Sequence, residues 1–325
     1  MNCRGWLRTA FVAMTVVGAV LTPAQAQVSE QPIRIIFPFS PGGSGDALAR
    51  LIAEKMHAGL NRTVIVENRT GGGGRIGVQA VKNAAPDGST LLLTPIAPMS
   101  VYQHVYKSLD YDPINDFVAV SQLGTFDFGI AVGTQLGVTS LKDLVAWAKA
   151  NPGKANYGVP AAGTLPNFLG VMFGRAAALD LRYVAYRGSA AALTDVIAGH
   201  IPMMVTTTSD LVQMHKAGKV RVLATSDQQR SPFLPEVPTF REAGYGLQAT
   251  GWYGMFAPAK TPQGVIDRYS KVIAAAAQAP DINAKLLAFG LKPTGTTAAE
   301  LAKIQKDDSA LWGPAVKASG FKPQQ

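Results

Sequence analysis

Three segments built from glycine and hydroxyl residues carry the chemistry this chain can be expected to perform. Ser40-Pro41-Gly42-Gly43-Ser44-Gly45-Asp46 follows the apolar run IRIIFPF and precedes the helical pattern ALARLIAEKM. Ala161-Ala162-Gly163-Thr164 and Tyr186-Arg187-Gly188-Ser189 stand in the same setting, each between an apolar run and a helical one. A helix entered through such a turn presents its first N–H groups without intrahelical partners, at the positive end of its dipole, and so binds anions. The first loop contains no lysine, so main-chain dipoles and hydroxyls would do the binding. That suits a small carboxylate better than a nucleoside triphosphate. Ordinary capping explains Ser44, Asp46, Thr164 or Ser189 taken singly. Three such loops at strand ends in one chain point instead to a carboxylate gripped between opposed helix N-termini.

Other chemistries match less well. The first loop lacks the Gly-Lys-Ser/Thr of a phosphate-binding loop. Gly72, Gly74 and Gly77 fit G-x-G-x-x-G after a strand, but the next strand, 90–95, ends in Pro95 and Ile96 without the acid that would hold a ribose. A tight turn that lets a helix pack closely accounts for those glycines. Ser44 sits one residue short of a G-x-S-x-G elbow. His57, His104, His200 and His215 show no mutual ligand spacing and no H-E-x-x-H. No metal or cofactor is expected, and capture rather than catalysis is the reading. A secreted serine hydrolase using Ser44 or Ser189, and a ligand-sensing receptor without its own transporter, remain the alternatives.

The elements that must hold these loops alternate strand with helix. The apolar runs 33–39, 64–67, 90–95, 117–123, 128–132, 157–159, 181–185, 202–206, 220–225 and 251–258 read as strands. Helical spacing covers 75–83, 141–150, 167–178, 190–198, 210–217, 262–279, 281–289 and 298–318, with Ser140 capping the second of these. Such alternation predicts parallel sheets flanked by helices, with ligand taken where strand ends face one another.

Export is predicted as well. Arg4 and Arg8, the apolar stretch 10–21 and Ala24-Gln25-Ala26 form the three parts of a cleavable signal over residues 1–26. Cleavage there removes Cys3, the single cysteine, so a mature chain of about 300 residues would rely on its apolar core alone. It also removes Arg4 and Arg8, which takes the net charge from +9 to +7. The remaining basic residues are scattered, without the clustered patch of a nucleic-acid binder. A mild field attracting anions fits this distribution, as does a merely solvated basic surface.

Taken in order, several segments resemble the Bug-type solute-binding proteins of tripartite tricarboxylate transport systems. They are Pro32-Ile33-Arg34-Ile35-Ile36 with Pro41-Gly42-Gly43 and Asp46; Val66-Glu67-Asn68-Arg69; Ala85-Pro86-Asp87-Gly88; Tyr111-Asp112-Pro113; Tyr186-Arg187-Gly188-Ser189; Lys216-Ala217-Gly218-Lys219; Pro235-Glu236-Val237-Pro238-Thr239; and Trp252-Tyr253-Gly254. The resemblance implies an α/β, two-lobed, type II-like Venus flytrap, each lobe a mixed sheet flanked by helices, joined by two crossing strands. Lobe 1 would hold 27–125 plus 253–325 and lobe 2 would hold 126–252. It further implies a monomeric, cofactor-free periplasmic receptor that hands a small organic carboxylate to membrane transporter subunits. Candidate ligand-binding residues in the first lobe are Phe39, Ser40, Gly42, Gly43, Ser44 and Asp46. In the second they are Ala161, Gly163, Thr164, Asn167, Gly188 and Thr207, with Trp252 or Tyr253 at the crossing either stacking on an aromatic ligand or packing in the core. Asn167 stands where the family often has histidine. The hydroxyl-rich Thr206-Thr207-Thr208-Ser209 replaces a stretch that often holds aspartate and asparagine.

Overall fold

The computed structural model describes residues 31–319 and 321; the export signal expected over 1–26 lies outside them. Strand β1 (Ile33–Phe37), helix α1 (Ser44–Leu60) and strand β2 (Val64–Asn68) open the fold, followed by α2 (Arg75–Lys82) and β3 (Thr90–Pro95). On α1 the residues Leu48, Ile52, Met56 and Leu60 recur every four positions and are all buried, while Glu54 and Arg50 face outward. Each such aliphatic side chain contributes about 1.5–3 kcal/mol on burial. The helix ends at Asn61, which adopts the left-handed conformation (φ 51°) that asparagine tolerates better than most residues. β1 pairs in parallel with both β2 and β3. The centre of β3, Leu91-Leu92-Leu93, is wholly buried, as befits a strand covered on both faces.

After a one-turn helix α3 (Tyr102–Val105) comes β4 (Phe117–Gly133), a single strand of 17 residues where the sequence reads as two extended segments. Its first half pairs antiparallel with β9 (Thr250–Pro258), which in turn pairs antiparallel with β3. Its second half lies between two other strands, β7 (Met203–Thr207) and β8 (Val220–Thr225), antiparallel to both. β5 (Asn156–Val159) pairs in parallel with β7 and with β6 (Arg182–Ala185). The sheets are therefore mixed and not simply parallel: β4 and β9 run against their neighbours and carry the chain between two half-sheets. Helices α4 (Leu141–Ala150), α5 (Leu165–Ala176), α6 (Ser189–Ala198) and α7 (Thr208–Lys216) flank the second half. Helices α8 (Gln263–Gln278) and α9 (Pro280–Ala288), the two-residue strand β10 (Lys292–Pro293) and α10 (Ala298–Ala318) complete the first. α10 begins in a full capping box, Thr297 with Glu300. Among the described residues, no helix is long and apolar enough to cross a membrane.

Candidate functional site

The C-terminal ends of β1, β5, β6 and β7 each lead within a few residues into a helix, and all four helix starts border one cavity. Its volume is about 60 Å³, room for about four to six waters at 10–15 Å³ each. Ser40 and Gly43 line it from the β1–α1 loop, Thr164, Leu165 and Pro166 from the start of α5, Gly188 and Ser189 from the start of α6, Thr207 from the end of β7 and Asp210 from α7. The two halves of the structure touch at its rim. The Ser40 N–H and hydroxyl both donate to the Arg187 carbonyl, at 3.0 and 2.6 Å.

One helix start is already occupied by an anion. The Ser44 N–H, the first of α1, donates to Asp210 Oδ1 at 2.7 Å. Asp210 lies in the first turn of α7, so a single carboxylate serves the positive ends of two helices at once. Its other oxygen accepts from the Thr207 and Thr206 hydroxyls at 2.8 and 3.2 Å. Around it the Ser209 hydroxyl donates to Thr207 and shares a hydrogen bond of 2.9 Å with Ser44. Tyr253 lies 3.4 Å from the Ser44 hydroxyl. Burial, followed by the Asp210 charge, raises the Tyr253 phenol, which stays protonated and able to donate.

The other two helix starts differ. Thr164, the N-cap of α5, turns its hydroxyl back to the Ala161 carbonyl (2.7 Å), and neither α5 nor α6 has a side-chain cap. Gly188 precedes α6 at φ 138°, a conformation that disfavours any side chain, and a Cβ there would sit 3.2 Å from the Ser40 nitrogen. The remaining wall is aromatic. Phe37, Phe39, Phe126, Phe128 and Tyr253 all border the cavity. Successive ring centroids lie 5.9 Å apart (Phe39–Phe37), 6.5 Å (Phe37–Tyr253), 4.7 Å (Tyr253–Phe126) and 5.5 Å (Phe126–Phe128).

Of the residues singled out in the sequence, Phe39, Ser40, Gly43, Thr164, Gly188 and Thr207 border this cavity. Gly42 and Ser44 open instead onto a neighbouring groove of about 380 Å³ between α1, α6 and α7. Asp46 turns away: its carboxylate accepts from the Gly42 N–H, from Arg50 and from Asn68, at 2.9–3.1 Å. Burial alone would raise it, but those bonds from Arg50, Asn68 and Gly42 prevail and hold it below the usual carboxylate range. Its role is to hold the loop. Asn167 is fully buried and pins the other loop, accepting from the Gly163 N–H at 3.0 Å and donating to the Tyr157 hydroxyl at 3.2 Å. Ala161 is likewise buried off the cavity, and the open side of Gly163 meets Val105. Trp252 points to the other face of β9, where its indole N–H donates to Asp308 at 2.6 Å. Alternation along a strand then puts Tyr253 on the cavity side.

The same alternation exposes a signal in the sequence. Phe37 with Phe39 and Phe126 with Phe128 are F-x-F pairs, which place both rings on one side of an extended chain. Asp210 gives no such sign, because an acid in a first helical turn is common. The hydroxyl groups of Ser44 and Ser189 have no histidine partner here. His57, His104, His200 and His215 bond respectively to the Arg62 carbonyl, Ser309, Asp195 and Glu236. Among the described residues no group of three His, Cys, Asp or Glu side chains is placed to hold a metal ion.

Comparison with known proteins agrees with this architecture. Residues 48–321 match the tripartite tricarboxylate transporter family receptor. A UPF0065 protein from the tcbD-tcbE intergenic region of a Pseudomonas species is 34% identical over 284 residues, covering 87% of this chain and 84% of its own. BugT of Bordetella pertussis is 31% identical over 294 residues, 90% of each chain. Among solved structures, a periplasmic transporter is 33% identical (TM-score 0.86, 90% of this chain and 99% of the other). An R. palustris protein solved with adipate is 28% identical (TM-score 0.87, 90% and 99%). MatC from Rhodopseudomonas palustris, solved with malate, is 26% identical (TM-score 0.83, 88% and 99%). The fold is that of a two-lobed periplasmic binding protein, and the chain belongs to the tripartite tricarboxylate transporter receptor family, the periplasmic solute-binding proteins that include the Bug receptors.

Proposed function

We propose that this receptor captures a small organic carboxylate in the cavity between its half-sheets and delivers it to the membrane subunits of a tripartite tricarboxylate-type transporter. Lobe 1 is then 27–125 plus 253–325, lobe 2 is 126–252, and the segments of β4 and β9 around Phe126 and Trp252 are the crossings. One observation carries the reading: four helices start at one cavity, and where two of them converge the group they hold is a carboxylate, that of Asp210 at 2.7 Å. The starts of α5 and α6, free of side-chain caps, offer the same kind of seat to a ligand. Adipate and malate in two structural relatives are acids of this general class. The receptor acts as an exported monomer, with the signal over 1–26 removed.

A thermal-shift screen against mono-, di- and tricarboxylates, aromatic acids and acidic amino acids tests it. A ligand at a hundred times its dissociation constant adds about 2.7 kcal/mol of stability. That raises the melting temperature by roughly 5–10 °C at about 2–4 °C per kcal/mol. A flat response from refolded protein across every acid would contradict carboxylate capture.

A further inference from the structure

Among the described residues no lysine, arginine or histidine lines the cavity, and its only carboxyl group is Asp210. Arg187, at the rim, offers its carbonyl to Ser40, and its side chain is exposed. Four helix starts border the cavity; those of α1 and α7 share Asp210, while those of α5 and α6 hold no carboxylate. A diacid with one group on the carboxylate-free starts would have to aim its other group at the seat of α1 and α7. In this chain the second seat is filled from within, because Asp210 accepts the first N–H of α1 and the hydroxyls of Thr206 and Thr207. A second carboxylate on the ligand would lose its water, find no cation, and face a fixed like charge. Between the seats the wall is the run of five rings from Phe39 to Phe128, with centroid steps of 4.7–6.5 Å. Such rings favour a flat apolar body that can stack or meet them edge-on.

We infer that the receptor selects monocarboxylates with a flat aromatic body, and that Asp210 is the specificity residue that turns away acids with a second charge. This rests on the carboxylate-receptor reading above. It also separates this chain from its structural relatives solved with adipate and malate, both of which are diacids.

Titration calorimetry of the full mature chain with two matched pairs tests the inference: benzoate against terephthalate, and hexanoate against adipate. Within each pair the monoacid should bind at least tenfold more tightly, a difference of about 1.4 kcal/mol, and benzoate should outbind hexanoate. Asp210→Ser empties the second seat, and Asp210→Asn keeps the shape without the charge. Both should shrink the monoacid-to-diacid ratio by tenfold or more, with Asp210→Asn carrying the test if the serine variant fails to fold. Diacid binding equal to or tighter than monoacid binding in the native chain overturns the inference and leaves carboxylate capture standing. An unchanged ratio in the folded variants removes Asp210 from selection, and hexanoate matching benzoate removes the aromatic preference. No heat with any of the four acids overturns this inference, and if the wider screen is also flat, carboxylate capture with it.

Discussion

A Cβ on Gly43 would sit 3.0 Å from the Ser189 hydroxyl and 3.3 Å from an Asp210 carboxylate oxygen. The Gly43 backbone, at φ −88°, accepts any residue, so the glycine is needed for the approach of the two halves and not for the local turn. Gly43→Val should therefore abolish ligand binding while leaving the melting temperature of the free protein within a degree or two; binding retained at native affinity would mean that this loop is not part of the site. Asp46→Ala should behave in the opposite way. It removes the acceptor shared by Gly42, Arg50 and Asn68, costing about 1–3 kcal/mol of stability, with a smaller effect on affinity. Because the folded-state carboxyl is held below its ordinary 3.8, its stabilisation is present above that value and fades as pH falls through the lower folded value. Melts of native protein and variant should accordingly converge in strong acid. At this scale the sequence discloses loops better than directions. The glycine and hydroxyl loops are legible because their chemistry is local, whereas Asn167 and Trp252 face away from the cavity for reasons set by partners on other elements, Tyr157 of β5 and Asp308 of α10.

The crossing strands are the elements on which the account turns. Residues 126–128 are the point where β4 leaves β9 for β7 and β8. There Phe126 and Phe128 face the cavity while Asp127 faces the opposite side. The Asp127 carboxyl is buried, accepts from the Thr208 hydroxyl at the start of α7, and leaves Oδ2 unpartnered. Desolvation pushes it up to about 6, with the Thr208 bond and Lys292 opposing and Asp227 adding to the rise. The folded state thus holds this proton more tightly than the unfolded chain. Its stabilisation is full below about 3.8 and is lost as pH rises through about 6. Asp127→Asn should raise stability at pH 8 by up to about 3 kcal/mol, some two units at 1.36 kcal/mol each, and by much less at pH 4. Denaturant melts at the two pH values measure this, and an equal effect at both would show that Asp127 does not titrate in the folded range. Element identity and order were readable from hydrophobic periodicity nearly throughout, because each helix and strand buries a local apolar stripe. Strand direction was not. Only long-range pairing reveals that β4 and β9 run antiparallel in an otherwise parallel frame, and that 117–123 and 128–132 are one strand.

For the whole molecule, a receptor works by the balance between open and closed forms, and the two halves are linked by more than their crossing strands. α10 is anchored in the first half, where Gln305 donates to the Met99 and Pro113 carbonyls. Beyond its end, Phe321 packs edge-on against Phe168 of α5 in the second half, at 5.1 Å, and Arg175 donates to the Ala318 carbonyl. Aromatic pairs of this kind contribute about 0.5–1.5 kcal/mol. If that contact favours closure, Phe321→Ala should weaken ligand binding several-fold with an unaltered cavity; native affinity in the variant would make the contact a passive one. The net charge of +7 expected for the mature chain belongs to the same scale: it would draw anions toward a cavity that, among the described residues, no basic side chain lines. The most direct test is a crystal structure of the mature protein with the acid that most raises its melting temperature. The ligand carboxylate should lie within hydrogen-bonding distance of the first N–H groups of α5 and α6, with its body against Phe126 and Tyr253 and Asp210 still bound to Ser44. A carboxylate bound outside this cavity, or seated on α1 with Asp210 displaced, would contradict it.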